Sequence, residues 1–449
     1  MAESASLPPH ANADALFREM RAKAREIFDH ALSECSIPRA LGKKLEYRER
    51  YLKVEENVYD LGVFTRLLAV SIGKGGYSLA ENFAGMIQAE LTGIIAAPGA
   101  APHELPGFQY FSGGHPLPNQ DSLRAGEAIL QLVSGLSPET LVVFLISGGA
   151  SAIAEKPIRP QISLADVVQT YRALVHSGAP IGEINAVRKH LSALKGGRLA
   201  QAASPAYQLS VLVSDVAENA LDALASGPTI PDTTTARDCY EIAERYHLLD
   251  RLPQPVRSLF ESGHLEETPK AGDPAFGKSQ YVTVLSNATA VSGAAEQAAI
   301  AGFAVDVENA CDDWDYAQAA DFLLARLREL RKGVSRACLI SGGEVTVRIG
   351  SEPGMGGRNQ QFALYCAQKI AGENITVLSA GTDGIDGNSA AAGAIVDGST
   401  VHRARRQGFD TAQALARFDS YPLFQAIGDA VMTGPTGNNV RDLRILLAY

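Results

Sequence analysis

An α/β fold in two domains, built on largely parallel sheet, is predicted by three features of this 449-residue chain. Short β-rich apolar runs recur, each ending in a glycine-containing loop, and a helical pattern often follows. The runs are apolar without alternation, as strands buried on both faces are. A stretch rich in Pro, Gly and charge, residues 251–280, breaks the pattern and marks a domain boundary. The first domain is expected over residues 1–275 and the second over 276–449.

The elements follow in order. Residues 13–35 set Leu16, Phe17, Met20, Ala24, Ile27, Phe28 and Ala31 on one side of a helix. Strand-to-loop units then read RLLAVSIGKGG (66–76), LVVFLISGGAS (141–151), YQLSVLVSDV (207–216), YVTVLSNATA (281–290), RACLISGGE (336–344) and ITVLSAGTDG (375–384). In parallel sheets ligands gather beyond the carboxyl ends of the strands. Nearly every unusual loop of this chain falls there.

Composition narrows the function. The net charge is −10, which argues against a nucleic-acid or membrane-surface partner. Five scattered cysteines, Cys35, Cys239, Cys311, Cys338 and Cys366, form no CxxC pair, and read as reduced thiols of a cytoplasmic protein. The start has no apolar signal-peptide core. The longest apolar runs, such as LVVFLI, are too short to span a bilayer.

Several loops have the composition of anion sites. Lys74 stands among glycines just past a strand, where a lysine has no packing role. The loop is not a phosphate-binding GxxxxGK[ST]. Ser147, Gly148 and Gly149, and again Ser341, Gly342 and Gly343, make turns whose backbone N–H groups suit phosphates. Residues 185–200, NAVRKHLSALKGGRLA, place Arg188, Leu191 and Lys195 on one side of a helix stopped by Gly196 and Gly197. In GMGGRNQQ (354–361), a glycine loop with Gly356 and Gly357 runs into a helix starting near Arg358. Small residues there, with Asn359 following, would let a ligand reach the helix end. Arg358 offers a planar fork for phosphate or carboxylate. Carboxylates occupy the same kind of position: Asp215, Glu344, Asp383 and Asp386. Such groups bind Mg²⁺ beside phosphates or take a proton from a hydroxyl. GxGxxG, HExxH and GxSxG are absent. Phosphoryl transfer fits this set best.

Together NAVRKHLSALKGGRLA, ASGPTIPD, SGGEVTV, GMGGRNQQ, SAGTDGIDG with AAAGAIVD, and DSYPLF with TGPTGNNVRD resemble the glycerate 2-kinases that carry a C-terminal MOFRL domain. Some members of that family bear the name hydroxypyruvate reductase. The resemblance runs in order from about residue 13 to the end. It implies a Rossmann-like N-terminal α/β domain, a smaller α/β C-terminal domain and an active site in the cleft between them. It implies transfer of phosphate from ATP, with Mg²⁺, to the 2-hydroxyl of D-glycerate. It matches the family's lysine to Lys74 and its arginine to Arg358. Asp215 joins them as a catalytic candidate. Arg188, Lys195, Asn359 and the three glycine loops are candidates for substrate and nucleotide. Asp383 and Glu344 are candidates for the metal. The chain departs from the family at Ala217, Glu218 and Asn219, where SDVPGD is usual, and at Gln361 and Phe418. A kinase of a related sugar acid, a reductase and an inactive sugar-acid sensor stay open as alternatives, as does a homo-oligomeric state.

Overall fold

The computed structural model describes residues 9–216, 218–348, 350 and 354–449, without the side chains of 9–13, 218 and 219. Ala217, part of the departure from the family pattern, lies outside the described residues. The chain forms two compact units. One comprises residues 37–285; the other joins 286–449 to the N-terminal segment up to Ser36.

The unit of residues 37–285 begins with a small antiparallel sheet of β1 (Leu45–Arg48), β2 (Tyr51–Val54) and β3 (Asn57–Asp60). Its main sheet holds β4 (Arg66–Ile72), β5 (Thr92–Ala97), β6 (Phe108–Ser112), β7 (Thr140–Ile146), β8 (Tyr207–Val213) and β9 (Ser279–Leu285). Every pairing in that sheet is parallel, in the order β6-β5-β4-β7-β8-β9. All seven residues of β7 are buried, so the continuous apolar run is what helices on both faces require. Leu68, Val70, Ile72, Val142, Phe144 and Ile146 pack on one face against Ala125, Ile129 and Val133 of the helix Gln120–Val133. That helix starts in a capping box of Asn119 and Ser122, which satisfies two end groups reciprocally. A helical lobe with its own core, including Tyr171, Leu174, Val187, Ile242 and Phe260, lies within residues 162–265.

The other unit carries β10 (Ala304–Val307), β11 (Ala337–Gly342), β12 (Ile375–Gly381), β13 (Gly393–Asp397), β14 (Ala430–Val431) and β15 (Asp442–Ala448), in the order β10-β11-β15-β12-β13-β14. Only β10 and β11 pair in parallel; β11–β15, β15–β12, β12–β13 and β13–β14 are antiparallel. The expectation of largely parallel sheet therefore holds for one unit and not for this one. The reason is burial. Leu339, Val377, Val396 and Leu446 pack on one face, while Ile340, Leu378, Ile395 and Ile445 pack on the other. Strands covered on both faces lose their alternation whatever their direction.

The N-terminal helix, Pro9–Glu34, covers one of those faces with Met20, Ala24, Ile27 and Phe28. It belongs with the C-terminal part of the chain and not with the first domain as expected. The boundary also moves from about residue 275 to 285, because β9 completes the parallel sheet. The Pro- and Gly-rich stretch 251–280 is no linker: it includes the helix Gln254–Glu261, which packs into the helical lobe. All five cysteines are free and buried.

Candidate functional site

Numbered within their own sheet, the six parallel strands run 3-2-1-4-5-6. β4 leads to β5 on one side and β7 leads to β8 on the other. The loops after β4 and β7 therefore part at the topological switch point, where ligands bind in such sheets. Those two loops are 73–76 and 147–149. They are hydrogen-bonded together: Lys74 N–H donates to Gly148 O at 2.9 Å, and Gly75 N–H to Ser147 Oγ at 3.0 Å. Gly73, at φ +130°, is held so close that a Cβ would lie 2.2 Å from Ser147 Oγ.

The expected amides divide in two. Ser147 N–H is spent on Ile72 O. Among the described residues, Gly148 and Gly149 N–H have no acceptor. The side chains around them converge. A Cβ on Gly148 would lie 2.0 Å from Asp215 Oδ2, and one on Gly149 would lie 2.9 Å from His115 Cδ2 and 3.2 Å from Lys74 Cγ. Lys74, Asp215 and His115 thus surround one short backbone turn. Among the described residues no carboxylate pairs with Lys74, whose side chain is exposed. Desolvation, and then the charge of Lys74, hold His115 below the usual histidine range, so it is neutral at neutral pH. Sequence reasoning missed His115. The available signal was SGGHP directly after an apolar strand, a Gly-Gly turn delivering a titratable ring.

Arg188 and Lys195 are placed elsewhere. The helix expected to run through both ends at His190. The chain then turns, with Ala193 N–H donating to Lys156 O. Lys195 is buried and ion-paired with buried Glu155, and it donates to Tyr171 Oη at 2.9 Å. Tyr171 Oη donates to the same carboxylate, and Ser192 Oγ does so at 2.6 Å. The Arg188 guanidinium stacks 4.3 Å above the Tyr171 ring. Just past the β7 loop, Ser151 Oγ lies 3.0 Å from Ser226 Oγ. Ala225, Ser226 and Gly227 all have positive φ, at 54°, 61° and 60°. Such backbone strain persists only where the surroundings enforce it. Gly196 and Gly197 N–H supply that grip, donating to Ser226 O and Gly227 O.

In the other unit, the second Ser-Gly-Gly turn is already occupied. Gly342 N–H donates to Asn309 Oδ1, Gly343 N–H to Asn287 Oδ1 and Glu344 N–H to Asp312 Oδ1, at 2.9–3.0 Å. Buried Arg444 donates to the carbonyls of Gly342 and Gly343. The expectation of open amides at Ser341, Gly342 and Gly343 is corrected: Ser341 lies within β11, paired with β15, and side chains from distant elements fill the amides of Gly342 and Gly343.

The same holds at 354–361. The helix Arg358–Lys369 begins where expected. Its end, however, is capped from within. Asp386 accepts from the Asn359 and Gln360 amides at 3.1 and 2.9 Å, and from both their side chains. A Cβ on Gly357 would lie 2.3 Å from Asp386 Oδ1, and one on Gly356 would lie 2.5 Å from Ser420 Oγ. The small residues admit the protein's own Asp386 and Ser420, not a ligand. Burial pushes Asp386 up to about 6. Arg358 is clasped by Asp442, at 2.6 and 3.1 Å, and by Glu344 at 2.7 Å. Arg441 holds Asp312 in a second fork, at 2.6 Å twice. Glu344, expected at a metal, faces Arg358 instead. Burial, then Asp442, raise its carboxyl above the usual range while the arginines oppose them. Asp383 accepts from Ile385 N–H and lies near Asp442, both carboxylates within 3.5 Å of where a Gly381 Cβ would be. Among the described residues no three His, Cys, Asp or Glu side chains form a metal-holding group, and no helix is long and apolar enough to cross a membrane.

Residues 23–261 match a family described as a domain of unknown function, DUF4147, and residues 337–442 match the MOFRL family. A protein of Agrobacterium vitis provisionally named hydroxypyruvate reductase is 37% identical over 94% of this chain and 93% of its own. The D-glycerate 2-kinase of Thermotoga maritima is 34% identical over 85% of this chain and 90% of its own. The crystal structure of a Thermotoga maritima glycerate kinase superposes with a TM-score of 0.84 at 31% identity, covering 96% of this chain and all of that one.

Proposed function

We propose that this chain, which belongs to the family joining a DUF4147 region to a MOFRL region and including the glycerate kinases, phosphorylates the 2-hydroxyl of D-glycerate with ATP. The observation that carries this reading is the turn at the switch point, where Lys74 and the amides of Gly148 and Gly149, all without a partner among the described residues, adjoin one another. That set neutralises a polyphosphate, and phosphoryl transfer is catalysed mainly by positioning and charge. Lys74 takes the non-bridging oxygens of the transferred group. The 2-hydroxyl oxygen bonds to the γ-phosphorus as the bond to the ADP oxygen breaks and its electron pair leaves with ADP. Neutral His115 accepts the hydroxyl proton. Arg358 binds an anionic substrate group by exchanging Glu344 for it and keeping Asp442.

Mg²⁺ held mostly by nucleotide phosphates and water needs only one or two protein carboxylates. Asp215, beside Gly148, fits that donor set, with Asp383 as the second candidate. The metal would supply charge neutralisation on the phosphates. The buried free cysteines support a cytoplasmic location.

A nicotinamide-dependent reductase is the second reading. The strand order 3-2-1-4-5-6 is also that of dinucleotide-binding sheets. Against it, Ser78 stands where a third glycine would fall after Gly73 and Gly75. Incubating the protein with D-glycerate, ATP and Mg²⁺ in the presence of enolase reads 2-phosphoglycerate directly. An enolase signal that falls at least a hundredfold in a folded Lys74→Ala variant is expected. NADH oxidation by hydroxypyruvate without any ADP release would overturn the reading.

A further inference from the structure

In the unit containing β10–β15, a cavity of about 670 Å³ lies between the N-terminal helix, the helix Thr400–Arg406 and the chain at 427–429. It is built on one internal ion network. Buried Asp429 is gripped by Arg21 at 2.5 Å and by Arg403 at 2.7 and 2.8 Å. Buried Asp397 accepts from Arg21 at 3.2 Å. The remaining donors of Arg403 go to Ser399, Thr400 and Ile427 O, and Arg21 also reaches Ile395 O. Both guanidiniums are therefore spent on structure.

The rest of the wall is not. Arg18, His402 and Arg406 line the cavity with exposed side chains that have no hydrogen-bond or ion-pair partner among the described residues. Asp14, whose charge acts on Arg403, is the one further carboxylate lining it among the described residues. The two free arginines thus outnumber the one free carboxylate on a chain of net charge −10. Phe17 and Ile427 add apolar wall. Arg18 and Arg406 come from different helices, with His402 one helical turn before Arg406. Donors supplied by two helices around one cavity suit a tetrahedral dianion better than a planar carboxylate, which one fork would hold. A bare ion would fill little of the space, whose size is that of a small-metabolite site. Asp14, Arg18 and Arg21 also precede residue 23, where the matched family region begins.

We propose that this cavity binds a small phosphomonoester, its phosphate on Arg18, His402 and Arg406 and its carbon skeleton against Phe17 and Ile427. Bound there, the ligand ties the first helix to the sheet it covers and stabilises this unit by mass action.

The test is thermal unfolding and calorimetry of the full chain with inorganic phosphate and with ribose 5-phosphate, against chloride at equal ionic strength. A saturable upward shift is expected, with ribose 5-phosphate binding more tightly than inorganic phosphate. Lys74→Ala keeps the shift, because the other phosphate site is not involved. Arg18→Ser/Arg406→Ser weakens binding at least about tenfold, the loss of one charge-assisted hydrogen bond or more. Arg406→Gln alone gives an intermediate loss with its unfolding in chloride unchanged. No saturable shift, a shift lost in Lys74→Ala, or a shift of equal size in the double variant would each overturn the assignment. Equal affinity for the two probes would overturn the phosphomonoester.

Discussion

Replacing Lys195 by Met separates a ligand from a structural ion. Lys195 is 1% exposed and Glu155 is 2% exposed, and the ammonium lies between that carboxylate and the Tyr171 hydroxyl. Met fills the volume of the aliphatic stem but leaves the Glu155 charge held only by Tyr171 and Ser192. Breaking a buried pair from one side costs about 3–5 kcal/mol. In a unit of this size each kcal/mol moves the midpoint by about 2–4 °C, so a fall of about 6–20 °C is expected. Lys195→Met/Glu155→Gln removes the orphaned charge as well and recovers most of the loss, since apolar or neutral replacements of whole buried pairs are well tolerated. Calorimetric unfolding of the three proteins is the assay, with KM for glycerate and ATP measured alongside. Unchanged stability in Lys195→Met with a tenfold higher KM would refute the argument and return Lys195 to the substrate.

Three further outcomes follow from the same geometry. Gly357→Ala drives a methyl into Asp386 and dislodges the cap from two amides; a loss of about 1–2 kcal/mol is expected in urea denaturation. His115 sits below the usual histidine range, so protonation at low pH removes the proposed base. The rate kcat/KM falls on the acid side with an apparent pKa below the ordinary 6.5, and His115→Gln abolishes that limb; an unchanged limb in the variant would exclude the role. Asp386 is raised by burial from 3.8 to about 6, so its protonated form favours folding and this contribution is lost as pH rises through 6. Asp386→Asn does not titrate, and its stability relative to the parent rises by roughly 3 kcal/mol between pH 3.5 and pH 7.

Much of this was legible because certain residues are poorly explained by packing. Lys74 among glycines after a strand pointed to a ligand, and the structure places it at the switch point of the parallel sheet. The start of the helix at Arg358 was readable from the glycines before it. What the glycines face was not. Asp386 lies 29 residues beyond Gly357 and Ser420 lies 64 beyond Gly356, and nothing local records such neighbours. Strand direction in the second sheet was equally hidden, since Leu339 and Ile340 are buried on opposite faces and burial on both sides erases the alternation that marks antiparallel pairing. Lys195 misled for a related reason: a cation in an acidic chain suggests an anionic ligand, but Glu155, 40 residues earlier, supplies the anion.

The two LISGG turns show how one local sequence serves opposite ends. Both follow a buried strand and both bend through a positive-φ glycine, Gly149 and Gly343. After β11, Asn309, Asn287 and Asp312 fill the exposed amides, and Arg444 binds the carbonyls. The turn's amides and carbonyls are thus held by side chains of the chain itself, which makes a rigid corner. After β7 the amides of Gly148 and Gly149 have no acceptor among the described residues, and the nearby side chains are a lysine, a histidine and an aspartate. An unpaired N–H near a protein surface costs little while water can reach it, and it gains most when a charged oxygen replaces that water. The proposed phosphate role therefore falls to the first turn, while the second braces Glu344 and, through it, one edge of Arg358. Gly343→Ala and Gly149→Ala should both lower stability through strain at φ +85° and +81°; the first adds a collision with Asp312 and should leave turnover close to the parent's, while the second should also cut turnover by displacing His115 and Lys74.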